Sequence, residues 1–254
     1  NALNNLNRTN RSLSDTFGRI SSGLRINQAA DDAAGLAVAE NLDAQTRSLA
    51  VAQRNANDGI GMVQVAEGAT DEVATLLKRM RELAVQSSSE TLASTERTYL
   101  DTEFDELKSE MDRIAVTTEF NGVGLTRGTA SGAATNLSIQ VGANNTTNDR
   151  IKIDLGDLQA TALGLQSTNV SSVSNAQTAI TNLDTALNTV NQQRATYGAA
   201  QNRLDSSIRS IDTYSQSITA AQSQIRDADF AHEAAQMAKQ QIMQQAGTAI
   251  LAQA

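Results

Sequence analysis

The sequence has no cysteine, proline or tryptophan, and only one histidine in 254 residues. Without cysteine there are no disulfides and no reactive thiols, although that absence assigns no cellular compartment. Aromatic residues make up only 3 % of the chain, while apolar residues reach 40 %. A core therefore has to be built from Ala, Leu, Ile and Val, which suits thin layers of closely approaching helices and predicts a long helical bundle. The formal charge of −8 argues against a duplex nucleic-acid binder, which needs a concentrated cationic surface. No apolar run approaches the ~20 residues of a membrane-spanning helix and no signal-peptide core opens the chain, so no membrane insertion is expected. Because the first residue is Asn1 rather than Met, the chain is expected to be processed or trimmed.

What is present is periodicity. Leu3, Leu6, Leu13, Phe17, Ile20 and Leu24 share one helical register, interrupted by Asn10 and weakened by Gly18 and Gly23. A second register runs through Leu42, Leu49, Ala52, Ala56, Val63, Ala66, Val73, Leu77, Met80 and Ala84, and a third through Leu100, Phe104, Leu107, Met111 and Ile114. Within the second, LLKRMRELAVQ turns Leu76, Met80 and Leu83 toward a buried partner and predicts an exposed Lys78–Glu82 ion pair. Arg79 and Arg81 are left without an assigned role by this pattern.

In the carboxyl half Ala176, Leu183, Val190, Tyr197, Leu204, Ile211, Ile218 and Ile225 recur every seven residues, a coiled-coil seam. The companion core position is expected four residues on, at Ile180, Leu187, Arg194, Gln201, Ile208, Ser215 and Gln222. A helix of ~50 residues is ~75 Å long, which makes a rod. Between the helical halves NLSIQV and RIKIDL alternate apolar and polar residues around the turn-rich GANNTTND, so a β-hairpin is predicted at about 136–155. Seven of the fifteen glycines fall between Gly122 and Gly164 and place the loops there. One local conflict stands out: NANDGIG, Asn55 to Gly61, reads as a turn, since each interior glycine costs a helix ~1 kcal/mol.

No catalytic constellation is visible. His232 lacks a second His or any Cys, so a solvated or packed side chain is expected rather than a metal ligand. Asp31 and Asp32 would diverge by about 100° on a helix, and a capping or solvated role is expected of them. Asp227 and Asp229 lack the Gly and distal Glu of a calcium loop, and no phosphate loop, dinucleotide fingerprint or nucleophile elbow occurs. Neither an enzyme nor a cofactor is expected.

The segments ISSGLRINQAADDAAGLAVAENL, SLAVAQRNANDGIGMVQVAEGA, LLKRMRELAVQSSS, TEFNGVGL and DADFAHEAAQMAKQQIMQQAGTAILAQA together resemble bacterial flagellin. The resemblance covers both flanks of the chain and implies a mainly α fold, a long coiled-coil rod with a small β-hairpin. It also implies that the helix continues through NANDGIG. Residues 1–27 and 227–254 would belong to an inner layer of terminal helices, partial because both ends look trimmed, and 28–226 to the helical rod. The large variable outer domains of many flagellins have no room between Leu165 and Ala176.

The function so implied is a structural subunit that self-assembles into the flagellar filament for motility. It would be extracellular, exported unfolded through the flagellar type III apparatus. Its implied partners are copies of itself, the flagellar cap and hook-associated proteins, an export chaperone, and the host innate immune receptor for flagellin. The family's receptor contacts map onto Arg79, Leu83, Gln86 and Glu103, on a patch that also lies between subunits in a filament. Two alternatives stay open at this point: a hook–filament junction protein sharing the terminal helices, and a flagellin-like surface adhesin or ligand receptor using the polar NNTTND turn.

Overall fold

A computed structural model describes residues 2–128 and 136–253. Among the described residues five helices carry the chain: α1 (Ala2–Ser22), α2 (Ala33–Ser87), α3 (Ser94–Thr117), α4 (Val173–Arg226) and α5 (Phe230–Gln253). Among the described residues two small antiparallel pairs lie between α3 and α4, namely β1 (Glu119–Phe120) with β2 (Val123–Gly124) and β3 (Asn136–Gln140) with β4 (Arg150–Asp154). The chain divides into two compact units, residues 1–50 with 212–254 and residues 51–211, so the boundaries fall inside α2 and α4. The outermost residues of the implied inner layer, 1 and 254, and Gly132 of the glycine-rich stretch lie outside the described residues.

In the first unit α1 packs on α5, with Gln244 donating to Asn10 Oδ1 at 2.8 Å, so the polar interruption of the α1 register is matched by a polar residue across the pair. The residues between helices are paired as well. Leu24 bridges Asp227, with Arg25 N donating to Arg226 O and Ala228 N to Gly23 O, so the α1–α2 and α4–α5 breaks sit side by side. Asp32 caps α2 by accepting from Gly35 N at 2.9 Å, and Asp229 caps α5 by accepting from Ala231 N and His232 N. Asp31 accepts from Asn27 N and Gln28 N, which holds its carboxyl below the usual range. His232 is exposed.

The second unit has two contiguous cores. One joins Val73, Leu77, Met80 and Leu83 of α2 to Phe104 and Met111 of α3, to Ala176, Leu183 and Val190 of α4, and to Leu158, Leu163, Leu165 and Val170 of the irregular segment before α4. The other seats the hairpin residues Ile139, Val141, Ile151 and Ile153 on Ala56, Val63 and Ala66 of α2 and on Tyr197 and Leu204 of α4. The hairpin register is Asn136↔Asp154 through Gln140↔Arg150, which turns the alternating isoleucines to one face.

α2 runs unbroken through NANDGIG, and the structure gives the reason for its glycine. A Cβ on Gly59 would lie 3.0 Å from Ile139 Cδ1 and 3.1 Å from its Cγ1. The glycine makes room for the hairpin rather than for a turn, and the burial of Ile139 offsets the propensity cost. A turn does form at FNGV, where Asn121 and Gly122 have φ of 50° and 78° and close the β1–β2 hairpin in the mirror-image geometry that Asn-Gly favours.

Along α4 the heptad residues Ala176, Leu183, Val190, Tyr197 and Leu204 are fully buried, Ile211 and Ile218 nearly so, and Ile225 is half-buried. At the companion position Ile180, Leu187 and Ile208 pack against the cores as expected, but only in part. Residues three on, Ala179, Ala186 and Ala200, are buried, whereas Ile180, Leu187, Arg194, Gln201, Ile208, Ser215 and Gln222 are half-buried. Alanine lets the helices approach closely, so the small side chains take the inner place. The longer ones lie at the margin, where Arg194 reaches Asp71 at 3.0 Å and Gln201 donates to Glu67 at 2.9 Å.

Candidate functional site

The residues of LLKRMRELAVQ divide by helical angle. Leu77, Met80, Leu83 and Ala84 are buried against α3 and α4, and Leu76 is partly buried beside them. Lys78, Arg79, Glu82, Val85 and Gln86 face outward. Arg79 spans to α3, where its Nε and Nη2 donate to Glu103 Oε1 at 3.1 and 2.8 Å, and its Nη1 donates to Glu82 Oε2 at 3.0 Å. The expected Lys78–Glu82 pair is therefore replaced, because the Arg79 fork can serve Glu103 and Glu82 together. The two carboxylates, Glu103 foremost, raise the Arg79 pKa further. On the other flank Arg81 donates to both oxygens of Asp184 on α4, at 2.6 and 3.3 Å, and holds that carboxyl below its ordinary range.

Of the four residues the resemblance singled out, three share one edge. Arg79, Gln86 and Glu103 are exposed, with half of the Arg79 side chain accessible even while both pairs are made. Leu83 is 1 % exposed and belongs to the core, three residues beyond Met80 on the same apolar face. It supports the edge from beneath.

A second surface was not legible in the sequence registers. On the α1–α5 pair, Leu3 is 63 % and Phe17 64 % exposed although both belong to the α1 seam, and Phe230 and Ile242 of α5 are 57 % and 67 % exposed. Leu6, Leu13 and Ile20 of the same α1 register are half-buried, so the α1–α5 pair leaves Leu3 and Phe17 uncovered. Among the described residues no group of three or more His, Cys, Asp or Glu is placed to hold a metal ion, and no helix is long and apolar enough to cross a membrane.

These features define a helical structural protein with polar edges and with large apolar side chains left exposed on the α1–α5 pair. Residues 1–131 match the family model for the bacterial flagellin N-terminal helical region, and residues 180–254 that for the bacterial flagellin C-terminal helical region. A flagellin of Halalkalibacterium halodurans is 45 % identical over 238 residues, covering 93 % of this chain and 85 % of the relative. A flagellin of Bacillus subtilis is 39 % identical, with 100 % and 93 % covered. Among solved structures, Bacillus cereus flagellin is 33 % identical with a TM-score of 0.56, over 62 % of this chain and 88 % of that one. A putative flagellar hook-associated protein of Vibrio parahaemolyticus, 15 % identical with a TM-score of 0.63, shares the fold.

The chain belongs to the bacterial flagellin family, whose members are structural proteins. It is a subunit that polymerises with its own copies into the extracellular flagellar filament, and it lacks the large variable outer domain. The junction-protein and adhesin readings are not favoured.

Proposed function

We propose that the α1–α5 pair is the inner assembly layer of this subunit, and that its uncovered apolar stripe is buried by neighbouring copies in the filament. The exposure of Leu3, Phe17, Phe230 and Ile242 carries this reading, because so many large apolar side chains on one helix pair are otherwise a liability in water. Repetition of one interface around a helical filament covers such a stripe on every subunit. In this reading the chain catalyses nothing. It leaves the cell through the flagellar type III apparatus with an export chaperone, and the cap and hook-associated proteins meet it at the filament tip and base. The test is filament growth by Phe17→Ser and Ile242→Ser variants. Growth should be abolished with thermal unfolding of the monomer unchanged, since exposed substitutions fall within about 0.5 kcal/mol. Growth at the wild-type rate would reject the stripe as an assembly surface.

A second reading concerns the α2–α3 edge. Arg79, Gln86 and Glu103 form the contact for the host innate immune receptor on released monomers and meet a neighbouring subunit in the filament. The half-exposed Arg79 fork, already oriented by Glu103, favours it, since pre-oriented arginines anchor interfaces. Arg79→Ala monomers should bind the receptor about thirtyfold more weakly with intact circular dichroism. Equal affinity would leave Arg79 with only its intramolecular pairs.

A further inference from the structure

Arg97 is buried, at 8 % exposure, and among the described residues no carboxylate forms a salt bridge with it. Its charge is met by backbone instead. Nη1 donates to Ser87 O at 2.6 Å and to Ser89 O at 2.9 Å, and Nη2 donates to Leu92 O at 2.8 Å. Ser87 is the last residue of α2, so one of these oxygens is a carbonyl that the helix leaves without an intrahelical partner, at the end where the macrodipole favours a cation. The other two belong to the 88–93 turn that leads into α3.

The same serine continues the network. Ser87 is itself fully buried and its hydroxyl donates to Val170 O at 2.6 Å, while Val170 N donates to Asp101 Oδ1 of α3 at 2.7 Å. Two residues earlier, Thr168 O accepts from Lys108 Nζ of α3, and Thr168 Oγ1 accepts from Asn182 of α4. The end of α2, the start of α3 and the segment that enters α4 thus meet at one knot. In this network only Arg97 satisfies three acceptors at once.

We infer that Arg97 is a positioning residue for the filament subunit: its buried guanidinium is a clasp that holds three backbone carbonyls and thereby fixes the junction of α2, α3 and the entry to α4. The three oxygens form a cation cage filled by the chain's own side chain. Two of them share Nη1 and the third faces Nη2, so the cage needs two nitrogens at two places. A lysine carries its charge at one point and cannot reproduce that fork. Removal of the side chain leaves three carbonyls without their donor, a cost that falls on this junction rather than on the distant helices. The cage left behind has the shape and polarity to accept free guanidinium.

The experiment follows amide hydrogen exchange in the whole protein for wild type, Arg97→Lys and Arg97→Ala, with and without guanidinium chloride at millimolar concentration. The amides of Ser88 and Val170, bonded to Ala84 O and Asp101, report on the two sides of the knot. Both variants should exchange there at least about tenfold faster than wild type while α4 protection around Leu183 is kept. Guanidinium should slow exchange in Arg97→Ala and leave wild type unchanged. Seeded filament elongation by Arg97→Ala should be slowed and should recover with the same additive. Wild-type protection in Arg97→Lys would show that a point charge suffices and overturn the fork. Faster exchange in Arg97→Ala with no response to guanidinium would mean lost packing rather than an emptied cage, and would overturn the clasp.

Discussion

Gly59 offers a substitution whose sign depends on one neighbour. In an exposed helix interior, Gly→Ala stabilises by ~1 kcal/mol, because alanine has less backbone freedom to lose. At Gly59 the new methyl would meet Ile139 at 3.0, 3.1 and 3.4 Å through Cδ1, Cγ1 and Cγ2. Ile139 is 8 % exposed and part of the hairpin core, so its side chain can yield only by disturbing its packed neighbours, and overpacking of this kind costs about 1–3 kcal/mol. Gly59→Ala should therefore be neutral to about 2 kcal/mol destabilising. Ile139→Val removes Cδ1, the closest atom, and costs about 1 kcal/mol alone. In the double variant the two changes should compensate by at least about 0.5 kcal/mol, a coupling that distant sites do not show. Gly68→Ala supplies the control, since nothing lies within 4 Å of its added Cβ on the same helix, and it should stabilise by ~1 kcal/mol. Urea unfolding of the four variants and wild type gives all the terms. A Gly59→Ala gain equal to that at Gly68, with no coupling to Ile139, would refute the claim that the glycine exists for the hairpin.

Leu204→Asp places a carboxylate at a fully buried heptad position between α2 and the hairpin, and should cost about 3–5 kcal/mol in thermal or urea unfolding. Asp32→Ala removes the side-chain cap of α2 and should cost ~1 kcal/mol, read as faster amide exchange at Gly35. Asp31 has its carboxyl pKa depressed, first by the Asn27 amide and then by that of Gln28, so the unfolded state binds its proton more readily. The associated stability is present above the ordinary carboxylate range and is lost as pH falls through the depressed folded value. Asp31→Asn should flatten that acid limb of the stability–pH curve, and an unchanged limb would discount the two backbone bonds.

The long helices were legible because α2, α3 and α4 repeat apolar residues over many turns, and one or two poor positions do not erase such a pattern. The hairpin was legible because alternation with a turn-rich centre has few other meanings. Propensity misread NANDGIG because the reason for Gly59 lies eighty residues away, at Ile139. The companion position of α4 was read only in part, because three and four residues on both flank a heptad seam, and only packing decides that the alanines go further inside than Ile180, Leu187 and Ile208. Ion pairs were the least legible: Glu82 was matched to Lys78 by spacing, whereas the partner is fixed by where α3 sets Glu103. Arg97 gave no signal at all, since backbone carbonyls leave no mark in a sequence. The exposure of Leu3 and Phe17 was hidden in the α1 register, because a shared register does not show which of its members the partner helix covers.

The central claim is that this subunit buries the α1–α5 stripe against copies of itself. Electron cryomicroscopy of filaments grown from the protein measures it most directly, at a resolution that places side chains. The account predicts Leu3, Phe17, Phe230 and Ile242 enclosed by neighbouring subunits. Filaments in which those four side chains face solvent, with the contacts made elsewhere, would contradict it.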